Sequence, residues 1–139
     1  VKKMIPKFRA YSVEENIMYY PDEDKNVEWT IDDDTGFIAP LINLENGMWG
    51  MIDKYVLMQS TGLKGKNGVE IFEGDIVQHR DGEYSYLGIV KRDCYQFFID
   101  GIEPDDSYDF IDVSNTFDGT SSLEILGNIH ENPELLEGN

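Results

Sequence analysis

Few residues in this chain are able to do covalent chemistry: one cysteine, Cys94, and two histidines, His79 and His130. His79 and Cys94 fall in strand-like stretches that can be neighbours, and a thiol beside an imidazole is a nucleophile arrangement. The surroundings favour packing instead. Cys94 stands between Asp93 and Tyr95, just after Lys91 and Arg92, and a lone cysteine in a strand is more often a small apolar filler than a nucleophile. His130 precedes a terminal helical turn, where capping or packing accounts for it. With no catalytic constellation recognisable, the chain is expected to be non-enzymatic, with no catalytic residue and no cofactor.

Carboxylates are abundant, and their spacing decides whether they hold a metal. Asp22, Asp24 and Asn26 alternate as a calcium-binding loop begins, but Val27 occupies the position that needs glycine and Asp33 stands where a bidentate glutamate is wanted. A solvated turn is the better account. Asp32, Asp33 and Asp34 are consecutive, so they do not converge on one ion from a strand or turn. No metal site is assigned.

The 139 residues carry 28 acidic and 11 basic side chains, a net charge of -17. Four of the bases (Lys2, Lys3, Lys7, Arg9) lie in the first nine positions, and none follows Arg92. Such a chain is repelled by nucleic acid and by anionic lipid, because affinity for phosphate comes from Lys and Arg displacing counterions. The single cysteine precludes an intramolecular disulfide and fits a reducing compartment. No run approaches the length of a membrane helix and none has the form of a signal peptide. A soluble protein of the bacterial cytoplasm is expected.

At 40% apolar and 12% aromatic residues the chain is rich enough to fold. Its length suits one domain, 1–139, divided into an N-terminal β region (1–54), a barrel-like core (55–130) and a C-terminal helical turn and tail (131–139). A first hairpin is predicted from Lys7–Tyr11 and Ile17–Tyr20, and a strand over Val27–Ile31 with Val27, Trp29 and Ile31 on one face. Phe37–Leu44 contains Pro40, which suggests an edge strand or irregular connection. Asn46-Gly47 signals another hairpin, and a short helix through Met51–Leu57 is allowed.

The most closely specified stretch is Leu57–Val77. Asn67-Gly68 suits a type I′ turn, and Gly74 in Glu73-Gly74-Asp75 suits positive φ. Asp81-Gly82, Asp100-Gly101 and Asp118-Gly119 are further turn dipeptides. They divide strands around Ile76–Arg80, Tyr84–Arg92, Tyr95–Asp100, Tyr108–Val113 and Leu123–Ile129. This spacing predicts a mainly β protein, a small antiparallel barrel or sandwich. Asn132-Pro133-Glu134 fits an N-cap, a proline at the first helical position and an acid near the positive helix end.

The Leu57–Val77 run, the opening Lys7-Phe8-Arg9-Ala10-Tyr11 and the closing Gly127-Asn128-Ile129-His130-Glu131-Asn132-Pro133-Glu134-Leu135-Leu136 together resemble the YopX-like family of phage and prophage proteins. Tyr11, Ser60 and Gly65 depart from that pattern, which favours tryptophan, an aromatic and an acid at those places. The resemblance implies a phage or prophage origin and no assigned activity. Glu73-Gly74-Asp75-Ile76-Val77 followed by antiparallel strands also resembles the start of SH3-like barrels, an analogy that does not fix function.

Two functional expectations follow. One is a protein-binding or assembly module that contacts a host or phage protein through sheet edges and acidic surface. The other is a DNA-mimic inhibitor in which Asp105, Asp106, Asp109 and Asp112 imitate phosphates. Most of the aromatic residues (Phe8, Tyr11, Tyr19, Tyr20, Trp29, Trp49, Tyr84, Tyr86, Tyr95, Phe97 and Phe98) are expected in the core. Homo-oligomerisation is expected from the number of strand edges to be protected, with the Lys64–Gly68 tip meeting an acidic face of a neighbouring copy.

Overall fold

β-Branched and aromatic runs separated by Gly, Asn and Asp turns give a chain of short strands, with one 3-10 turn as its helical element among the described residues. The computed structural model describes residues 7–20, 27–31, 38–44, 48–51, 54–81, 84–93, 96–103, 106–110, 113–115 and 118–136. The chain groups into two compact units, Val1–Met58 and Gln59–Asn139. Their boundary falls inside a long strand rather than ahead of it.

In the first unit, β1 (Phe8–Ser12) and β2 (Ile17–Tyr19) form the expected antiparallel hairpin, with Ala10 opposite Tyr19 and Ser12 opposite Ile17. The link between them closes on Asn16, whose φ of 58° lies in the left-handed region that Asn tolerates. Its amide side chain accepts a hydrogen bond from the Tyr11 hydroxyl at 2.8 Å. Arg9, Ala10, Tyr11 and Ser12 are all buried. The strand is therefore covered on both faces, and the alternation of aromatic and basic residues in the sequence does not mark an exposed side.

β3 (Val27–Ile31), β4 (Ile38–Leu44) and β5 (Met48–Met51) make a three-stranded antiparallel sheet in that order. β4 is its central strand, which overturns the edge assignment drawn from Pro40. Proline is tolerated there because β4 pairs with β5 only from Leu41 onward, so at Pro40 the strand faces a described partner only across β3, at Trp29. On β3, Val27 is buried and Glu28 exposed, as the alternation requires, and Trp29 is half-buried.

No helix follows. β6 runs from Tyr55 to Lys64, and its β-branched and aromatic residues prefer the pleated surface over the helix that 51–57 allowed.

In the second unit β6 pairs with β7 (Glu70–Phe72), which leads through the Glu73-Gly74 turn into β8 (Asp75–Asp81). Gly74 has φ +89°, as expected. The Lys64–Gly68 tip is not a type I′ turn. The Gly68 N–H donates to the Gly65 carbonyl at 3.0 Å, and of the tip residues only Gly68 takes positive φ, +77°. Asn67 therefore keeps an ordinary backbone within a type I turn closed by a left-handed glycine, the other common hairpin solution.

β9 (Tyr84–Asp93), β10 (Gln96–Glu103), β11 (Ser107–Asp109) and β14 (Glu124–Asn128) complete a five-stranded antiparallel sheet, ordered β11-β10-β9-β8-β14. Short β12 (Ser114–Asn115) and β13 (Thr120–Ser121) pair with each other, and β13 meets the end of β6 in parallel at Lys64. Asp100-Gly101 is not a turn. It lies inside β10, where Gly101 pairs with Gly88 and an irregular register follows before Glu103. The strand expected over Tyr108–Val113 ends at Asp109.

Among the described residues no sheet closes into a barrel: the outer strands β11 and β14 each have one neighbour, whereas closure would pair both edges of every strand. The core is Ile71, Val77, Tyr86, Val90, Ile99, Phe110, Val113 and Leu123.

The last described element is a 3-10 turn over Pro133–Leu136, where a helical turn is expected. The capping differs in detail. The Asn132 side chain accepts from the Asn128 N–H at 3.2 Å, while its backbone carbonyl accepts from Leu135 at 3.1 Å.

Candidate functional site

Of the residues able to do chemistry, His79 lies on β8, while Cys94, and with it the Cys-His pair, lies outside the described residues. The His79 ring stacks obliquely on Tyr86 at 5.1 Å, and Tyr86 lies flat against Tyr108 at 3.8 Å. The Nδ1 atom of His79 is 3.2 Å from the Ser122 hydroxyl. Ser122 is itself tied to Val113, donating its N–H to that carbonyl at 2.9 Å. The cluster fastens β8 to the segment before β14. Sequence inspection missed it because Ser122 is remote in the chain and carries no motif. At His130 the backbone N–H donates to Asn128 Oδ1 at 3.1 Å.

The acidic segments at Asp22–Asn26 and Asp32–Asp34 lie outside the described residues, as do Asp105 and Asp112. Among the described residues no three His, Cys, Asp or Glu side chains are grouped to hold a metal. Asp106 and Asp109 are exposed. A pocket of about 230 Å³ is lined by Asp93, Gln96, Phe98, Ser107 and Asp109, where β9, β10 and β11 run side by side. Lys91 and Asp100 pair across the same sheet at 2.5 Å, both partly exposed, so this ion pair contributes little to stability.

Asp118 is exposed, and its carboxyl lies below the ordinary value of 3.8 because the Thr120 hydroxyl and the Thr120 N–H, at 3.0 Å, both donate to it. A depressed carboxylate steadies the Asp118-Gly119 turn above its ordinary range and loses that contribution as pH falls through the lowered value. The expected result of an NMR titration is an Asp118 midpoint below 3.8 that moves upward in Thr120→Val.

The Lys64–Gly68 tip is exposed at both lysines. It borders a cleft of about 130 Å³ lined by Gly65, Lys66, Asn67, Val69 and Ile125.

The strand edges carry the remaining surface. Of the exposed large apolar side chains, Ile17 on β2, Met48 and Trp49 on β5 and Leu126 on β14 stand on outer strands, while Val13 and Val69 lie between strands and Val56 on β6. Trp49 is among the aromatics that the core does not take: it is 40% exposed, and Met48 is 64% exposed. Period-two patterning cannot distinguish a face that meets a second layer from one that meets water.

The YopX protein family matches residues 7–137. The chain belongs to the YopX family. Among solved structures, this YopX-family chain is similar to protein EF1440 from Enterococcus faecalis, at 32% identity and a TM-score of 0.62, over 96% of this chain and 99% of that one. It is also similar to YopX from Bacillus subtilis, at 21% identity and a TM-score of 0.67, over 93% and 96% of the two chains. The second likeness is one of fold alone. No curated protein matches. The three quoted motifs lie within the matched span, Leu57–Val77 forming β6, the tip, β7 and the start of β8. None of the three contributes Met48 or Trp49.

Proposed function

We propose that this YopX-family chain is a non-enzymatic phage or prophage accessory protein that works in the bacterial cytoplasm by binding another protein. The observation that supports this reading most is the placement of exposed apolar residues on strand edges, Ile17 on β2, Met48 and Trp49 on β5 and Leu126 on β14. Exposed apolar side chains beside unpaired backbone groups are what a docking protein uses and an isolated one suppresses.

A second reading, the acidic DNA mimic, draws support from the exposed Asp106 and Asp109 beside the pocket that Asp93 also lines. The two differ in salt dependence. Contacts between exposed charges fade at about 1 M salt, where screening extends only about 3 Å, while apolar contacts persist. Capture of host proteins on immobilised chain is expected to survive that salt concentration. Capture confined to low salt would favour mimicry and count against the docking reading.

A further inference from the structure

Independently of the docking reading, which concerns apolar strand edges, we infer that the pocket over β9, β10 and β11 receives Lys66 from the tip of a second copy of this chain. Its lining is Asp93, Gln96, Phe98, Ser107 and Asp109, around a space of about 230 Å³. Gln96 stands opposite Asp93 in the ladder, and Phe98 stands opposite Asp109. Phe98 alternates with Ile99, which is buried in the core, so these side chains rise from the face of the sheet turned away from the core.

The lining suits a lysine rather than an anion or an apolar group. Phe98 is half-buried, while Asp93 and Asp109 are exposed around it. The aromatic ring packs the methylene stem and attracts the cation. An ammonium has three protons to donate, and the two carboxylates, the Gln96 amide oxygen and the Ser107 hydroxyl are acceptors. Lys91, the base opposite Phe98, is engaged by Asp100. The two pocket carboxylates are therefore left for a cation from outside.

Lys66 is the base this chain holds ready. Lys54 pairs with Glu14, Arg92 donates to Gln59, Arg9 is buried, and Lys64 stands opposite Glu70 in the ladder. Lys66 is exposed and has no acid within three positions of it. It occupies a corner of the turn that the Gly68 N–H closes on the Gly65 carbonyl, and its own N–H donates to the Leu123 carbonyl at 2.8 Å. A tip held from within and from Leu123 gives up little freedom on docking.

Tip and pocket belong to the same unit, yet they cannot meet within one copy. Gly65 lies against the Ile125 side chain, which packs on the core, so the tip is at β14 on the core side of the sheet. The pocket is on the other face, and β9 and β8 separate β10 from β14, three strand spacings or about 14 Å. Complementary features on opposite faces meet only between copies. Such a contact is head-to-tail, and it closes into a ring or runs on as a filament.

The test is sedimentation of the full chain at about 0.15 M salt, where repulsion between the two net charges of -17 is screened beyond about 8 Å. Wild type is expected to self-associate, and Lys66→Glu and Asp109→Lys are each expected to weaken the association about tenfold. Both positions are exposed. Mixing the two variants should restore association, because one brings an intact tip and the other an intact pocket. The double variant Lys66→Glu/Asp109→Lys should recover it too, which shows that neither single change acted by misfolding. A wild type that stays monomeric at the highest concentration reached would overturn the inference, as would association that neither variant weakens. So would single losses that neither mixing nor the double variant repairs. A monomer that binds a lysine-containing hexapeptide, with binding lost in Asp109→Lys, would give the pocket to another protein instead.

Discussion

Replacing Gly88 with valine is expected to destabilise the second unit by about 3 kcal/mol, near the upper end of the range for overpacked cores. Gly88 lies in β9 opposite Gly101 of β10 and Val77 of β8. A Cβ at this position would come within 2.5 Å of the Ile99 Cγ2 methyl and 3.0 Å of the Asp100 carbonyl oxygen. Neither obstacle is the loose end of a flexible chain: Ile99 is fully buried in the core and branched at Cβ, and Asp100 offers backbone. Even alanine therefore forces the β9–β10 pair apart or Ile99 off its rotamer. Urea denaturation followed by near-ultraviolet circular dichroism measures the loss.

A double-mutant cycle sharpens the attribution. Ile99→Ala alone leaves a cavity and is expected to cost about 2–5 kcal/mol. In Gly88→Ala/Ile99→Ala the new methyl occupies space the old one vacated, so the pair should cost less than the sum of the singles. Strict additivity would place the strain of Gly88→Ala on the Asp100 carbonyl instead.

The second large effect is expected at Asp75, which is only 2% exposed. Its Oδ2 accepts a hydrogen bond from the buried Phe72 N–H at 2.8 Å, closing the Glu73-Gly74 turn on itself. That turn is held from outside as well: Gly74 donates its N–H to Val90 at 2.8 Å and accepts from Ile129 at 3.0 Å, while Glu73 donates to Gln59 at 2.9 Å. One short turn thus joins β6, β9 and the chain after β14. Asp75→Ala leaves the Phe72 N–H without that acceptor, at a cost of about 1.5–3 kcal/mol for a lost charge-assisted bond. Asp75→Asn keeps an acceptor oxygen and should recover part of the loss. Thermal unfolding of the three proteins orders them wild type, Asn, Ala; equal stability of the two variants would mean the charge, not the acceptor, is what the turn requires.

Glu73-Gly74-Asp75 was legible as a turn from residue types alone, because glycine reaches positive φ without steric cost and the three residues are poor strand formers. Asn67-Gly68 was legible as a tip but not as a turn type. Both hairpin solutions accept that dipeptide, and the choice rests on Gly65, whose N–H bonds to Val69 at 2.8 Å and whose absent Cβ makes room for the Leu123 carbonyl. Leu123 is far along the chain, so no window around Asn67 contains the deciding contact. Asp100-Gly101 erred for the same reason in reverse: its local preference for turning is overridden by β9 on one side and β11 on the other.

The candidate binding edge was less visible than the fold. Met48-Trp49-Gly50-Met51 reads equally as core or as surface, since an apolar strand is what either requires. By itself the sequence determined the hairpins, the strand-rich class, the Gly74 turn and the family, all of which follow from residue types within a few positions of one another. Only the tertiary structure decided that Pro40 sits in a central strand, that the sheets stay open among the described residues, and that Trp49 faces water. Those outcomes depend on which distant strand arrives alongside, and a strand's own residues do not specify its neighbour.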